Sequence, residues 1–80
     1  MSDEAAAIAA HAVVLQSDAR TLAECVERLR KIEAGLEAGG LAPPWLREAV
    51  TAHLGACVAA AADLSVAAAH LHRCAGRVRS

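Results

Sequence analysis

With 80 residues and a formal net charge of −1, the chain makes one domain at most and buries only about two thirds of its unfolded surface, which leaves it marginally stable without a partner. Acidic and basic residues are intermixed, so there is no clustered basic face to neutralise phosphates, and nucleic acid is excluded as a partner. Alanine dominates the apolar residues, Tyr and Phe are absent and Trp45 is the only aromatic; such a core of small and aliphatic side chains favours closely approaching helices.

The chain opens Met1-Ser2-Asp3-Glu4, acidic where a secretory leader is basic, so no classical signal peptide is expected. Ser2 is the expected N-cap of a first helix, with Asp3 and Glu4 placing negative charge in its first turn, where the helix dipole favours it. Ile8, Leu15, Leu22, Leu29 and Leu36 recur every seven residues along this helix, which is expected over about residues 3–38. Its outer face carries Glu24 with Arg28 and Glu27 with Lys31, i,i+4 pairs in the favourable order, and reads as solvated.

Gly39, Gly40, Pro43 and Pro44 mark the chain reversal, over about residues 39–43. Glycine supplies a left-handed helix end, and proline at the first helical position gives up an N–H that would be unpaired anyway. A second helix is expected over about residues 44–77, ending among Arg73, Arg77 and Arg79, which suit the carbonyl end of its dipole. Its ladder is Val50, Cys57, Leu64, Leu71 and Val78. The two ladders mirror each other, pairing Leu36 with Val50, Leu29 with Cys57, Leu22 with Leu64, Leu15 with Leu71 and Ile8 with Val78. The fold class is therefore all-α: an antiparallel two-helix hairpin, a slender coiled-coil rod that completes a four-helix bundle with a partner or a second copy.

The central turns of the second helix are apolar nearly all round, and such a helix is usually buried on more than one side. Val58, Ala62, Val66 and Ala69 on this helix, Val13 and Val14 on the first, and Trp45 at the tip form the expected partner interface. Trp45 has two readings: it folds back over Leu41 and Leu36 to cap the turn, or it offers its face to a partner, as Trp often does at interfaces. Residues 54–71 are apolar enough to raise a membrane span, but Asp63 sits in the middle, where an Asp costs about 2.5–3.5 kcal/mol, so no span is expected. Gly35, Gly55 and Gly76 fall inside the expected helices, where close backbone approach or, near the helix ends, fraying would justify them.

Chemistry finds little foothold. Two His-x3-Cys spacings, His53 with Cys57 and His70 with Cys74, each place two ligand-type side chains on one helix face, with His11 level with Cys74 in the mirrored register. Zinc needs three or four ligands, and no Cys-x2-Cys spacing adds any, so no metal or other cofactor is expected and the cysteines read as small core residues. In that register Cys25 faces Ala61, one helical turn from Cys57, so no intramolecular disulfide is expected. Three cysteines without a disulfide-rich composition fit a reducing cytosol. There is no Ser-His-Asp set, nucleophile elbow or phosphate-cradling loop, and the chain reads as no enzyme.

Trp45 at the central turn, the two alanine-rich amphipathic arms, and Ala62-Asp63-Leu64 and Ala68-Ala69-His70-Leu71 spaced by sevens give the chain its resemblance to the WxG-type helical hairpins of type VII (ESX-like) secretion systems. The resemblance covers most of the chain and is mainly architectural. It implies a non-enzymatic secretion partner, adaptor or toxin-targeting factor, pairing as a homodimer or heterodimer with another hairpin or with the N-terminal helical domain of a larger toxin. Trp45 is followed by Leu46-Arg47 instead of the family's x-Gly, and the Tyr-containing C-terminal export signal is missing. The departure implies a cytoplasmic chain that leaves the cell only within a complex whose other member supplies the signal. The alternatives are a cytosolic helical scaffold unrelated to secretion and a His/Cys metal-binding bundle.

Overall fold

The computed structural model describes residues 3–79, and the expected N-cap Ser2 lies outside them. Two helices make up the fold, α1 over Asp3–Gly39 and α2 over Pro44–Arg79, running antiparallel as a hairpin. Each runs a residue or two beyond its expected C-terminal end. Gly40, not Gly39, is the left-handed residue, with φ 67°. Its N–H donates to the Leu36 carbonyl at 3.3 Å, the single bond of an αL helix end. The Pro43 carbonyl accepts from the N–H groups of Leu46 (3.0 Å) and Arg47 (3.3 Å), and Pro44 occupies the first helical position.

The molecule measures 60 × 14 × 12 Å with a radius of gyration of 18.0 Å, against about 12 Å for a compact chain of this length. A rod this thin cannot surround a side chain on all sides. Among the described residues nothing larger than valine is buried: Ala5, Ala12, Ala19 and Val26 on α1, Ala68 and Ala75 on α2. These form a second heptad ladder, interleaved with the leucine ladder. The expected seam residues Ile8, Leu15, Leu22, Leu29, Leu36, Val50, Cys57, Leu64 and Leu71 are half-buried. Val78, at the open end, is 38% exposed.

The register differs from the mirrored pairing. Thr51 donates from Oγ1 to Glu33 Oε2 at 2.7 Å, and Arg47 Nη1 lies 3.3 Å from Glu37 Oε1. With Leu36 opposite Val50, Glu33 would lie level with His53 and Glu37 with Ala49, so α2 has slipped by two residues relative to that pairing. The heptad layers nearest these bonds lie one residue further on, three from the mirrored pairing, and in that frame Leu22 falls level with Ala61, Ala19 with Leu64, Leu15 with Ala68, Ala12 with Leu71 and Ile8 with Ala75. Large falls level with small in these five layers, whereas nearer the turn Leu29 falls level with Leu54. Ala5, Ala12, Ala19, Ala68 and Ala75 are the most buried residues of the ladder, together with Val26.

Toward the turn the second ladder becomes polar. Glu33 and Arg47 take its last positions, and the Arg47 Nε is buried without an acceptor while the end of the guanidinium reaches Glu37. On the outer face Glu27 pairs with Arg30 at 3.5 Å, not with Lys31, and Arg28 turns to Cys25 instead of Glu24.

A Cβ built at Gly35, Gly55 or Gly76 meets nothing within 4 Å inside the hairpin, so close approach between the two arms does not explain these glycines. Gly35→Ala on the exposed face of α1 is expected to stabilise the protein by up to about 1 kcal/mol, by removing the helix penalty of glycine. Gly40→Ala is expected to destabilise it by about 1–2 kcal/mol, because φ 67° brings a Cβ against the backbone. Thermal melts of the two variants moving in opposite directions would confirm the turn; a Gly40→Ala melt unchanged from wild type would contradict it.

Candidate interaction surface

The tip is the most exposed apolar part of the hairpin. Leu41 is 94% and Trp45 69% exposed, which corrects the reading of Trp45 as a cap over Leu41 and Leu36. Ala42 and Leu46 are the half-buried residues there. The Glu37–Arg47 and Glu33–Thr51 bridges tie the arms together just below, so the tip is held without the indole.

The remaining expected interface residues are exposed, but they divide among faces. In the heptad frame of the two ladders, Trp45, Ala62, Val66 and Ala69 share the outward stripe of α2, opposite the seam. Val13 and Val58 flank the seam on one side. Val14 belongs to the other side, together with Ile32, an exposed residue outside the expected interface set. Its spacing of seven from Cys25 was the available signal.

On that side a shallow apolar groove is lined by Leu22, Cys25, Arg28, Leu29, Ile32, His53 and Cys57. Arg28 Nη2 donates to the Cys25 sulfur at 3.1 Å, and His53 Nε2 lies 3.9 Å from the Cys57 sulfur. The shifted register thus lets Cys25 and Cys57 border one groove, where the mirrored pairing set Cys25 opposite Ala61. All three cysteines are free thiols. A second groove on the opposite side, lined by Gln16, Ala19, Arg20, Ala23, Ala61, Ala62 and Ser65, is more polar.

The metal candidates do not converge. His70 accepts from Arg73 Nη2 at Nδ1, 3.0 Å away, and among the described residues no hydrogen bond joins it to Cys74. Among the described residues no three His, Cys, Asp or Glu side chains are grouped to hold a metal ion. His11 stands exposed on α1.

By length and composition α2 could cross a membrane: its most apolar window has a mean hydropathy of 1.6, and only 6% of that window is buried in the hairpin. Asp63 lies exposed midway along α2. The more apolar helix of the two therefore has one side against α1 and the rest uncovered. No known protein family, curated protein or solved structure matches the chain.

Proposed function

We propose that the chain is a non-enzymatic interaction module, a helical hairpin that presents Trp45 and the outer face of α2 to another helical chain and serves as an unsignalled partner or adaptor in type VII-like export. The observation that carries the interaction reading is the exposure of Trp45, 69%, at the tip of a rod whose own core contains nothing larger than valine. Fully burying one large aliphatic or aromatic side chain contributes about 1.5–3 kcal/mol. Among the described residues this hairpin takes that in full only from Val26, while it leaves Leu41, Trp45 and Val66 in water. A partner helix supplies the missing burial.

The export part of the reading rests on the family resemblance: Trp at the turn, alanine-rich arms, and the sevenfold spacing along α2. The test is export from a type VII-competent host. The chain is expected to stay inside when expressed alone and to leave when co-expressed with a helical-hairpin partner carrying a C-terminal export signal. Export of the lone chain refutes the role of unsignalled partner. Retention in both cases refutes the secretion role and leaves a helical scaffold.

A further inference from the structure

The outward stripe of α2 is complementary to itself. From Trp45 the stripe steps three and four residues alternately to Gly76, a spacing that reads the same in either direction. Laid antiparallel against a second α2, Trp45 meets Gly76, Glu48 meets Arg73 and Gly55 meets Val66, each pair occurring twice about a two-fold axis at the middle of the helix. Small alanines fill the layers between. Trp45 and Val66 are 69% and 57% exposed, and the space in front of Gly55 and Gly76 is empty. Glu48 and Arg73 are exposed as well, and the hydrogen bond of Arg73 is to His70, not to an acid.

We infer that the partner of this face is a second copy of the chain, its α2 packed antiparallel on α2 with Trp45 seated over Gly76 of the other copy. The inference rests on the reading of the hairpin as an interaction module and names the occupant of its outer face. A two-fold contact uses the same patch on both subunits, so every complementary pair must appear within one sequence, as these do. Because the stripe lies opposite the intramolecular seam, the four helices stand in a row with the two α2 helices in the middle. That arrangement accounts for a helix apolar nearly all round, which needs cover on two sides.

The area agrees. A compact monomer of 8.2 kDa exposes about 4,500 Å², whereas this hairpin exposes 5487 Å². The rod therefore keeps surface to spare for the ~800 Å² that each partner loses in an interface of standard size. A lipid surface is the less favoured occupant, because Asp63 borders the stripe at mid-helix, where an apolar phase would penalise its charge.

The test is the oligomeric state of the full chain by analytical ultracentrifugation at micromolar concentration, with helical content checked for each variant. Wild type is expected as a dimer. Gly55→Leu fills the hole for Val66 and improves helix propensity, so a helical chain that associates about tenfold or more weakly is expected. Glu48→Arg sets like charges opposite each other and is expected to weaken association similarly; the double variant Glu48→Arg with Arg73→Glu is expected to restore it. A wild-type monomer overturns the inference. So does unchanged association of Gly55→Leu, or a double variant no better than Glu48→Arg alone. Monomeric chain that floats with phosphatidylcholine vesicles would assign the face to lipid. A monomer that binds a different hairpin in a Trp45-dependent manner would overturn self-pairing while upholding the interaction reading.

Discussion

Replacing Ala12 by Leu is expected to lower the melting temperature by about 10 °C. Overpacking costs about 1–3 kcal/mol, and one kcal/mol moves the midpoint roughly 4–8 °C in a domain of this size. Ala12 is 0% exposed and falls level with Leu71, so a second leucine there has no space unless the two long helices separate. Leu71→Ala is expected to destabilise by about 2 kcal/mol, the low end for a leucine truncation, because Leu71 is only half-buried. The decisive measurement is the double variant, Ala12→Leu with Leu71→Ala, which exchanges large and small across one layer. It is expected to recover most of the loss, with a coupling in the 0.5–3 kcal/mol range of contacting residues. Melts are compared at one protein concentration, since association shifts the midpoint. Strict additivity of the two single variants would mean that Ala12 does not face Leu71.

The hairpin was legible because leucine at a spacing of seven has one reading on an alanine-rich background, and because Gly40 and Pro44 are fitted to their helix ends by backbone geometry. The register was not. Alanine serves equally as core residue, helix former and exposed filler, so Ala5, Ala12, Ala19, Ala68 and Ala75 carried no visible ladder of their own. With only the leucines in view, the mirrored pairing set large against large. In the structure the Glu33–Thr51 and Glu37–Arg47 bonds join residues two away from the mirrored pairing, and Cys25 and Cys57 border one groove. The polar end of the second ladder was hidden for a related reason: Glu33 and Arg47 look like ordinary surface charges until their bonds to Thr51 and Glu37 place them at the seam. The exposed faces were only partly legible. Apolar residues off the leucine ladder were identified, but without the second ladder the frame that separates the outward stripe of α2 from the two flanks could not be drawn, and Ile32 was overlooked.

Trp45→Ala is expected to leave the isolated hairpin intact and to weaken its association by about 2 kcal/mol or more, the range of a buried interface tryptophan. The two effects separate because the indole is 69% exposed within one chain, so its removal takes little from the intramolecular core, while the turn is held by the Gly40 N–H bond to Leu36, the Pro43 carbonyl and the Glu37–Arg47 bridge. At a partner surface the same ring loses its remaining contact with water over an area that few other side chains could match. Circular dichroism at submicromolar concentration, where association is weakest, is expected to give the same helical content and melting midpoint for variant and wild type. Sedimentation at higher concentration is expected to show a dissociation constant raised roughly thirtyfold, the equivalent of about 2 kcal/mol. Were the low-concentration melt to fall by several degrees while association held, Trp45 would be serving its own turn, and the outer face of α2 would have to bind through Val66 and its neighbours without the indole.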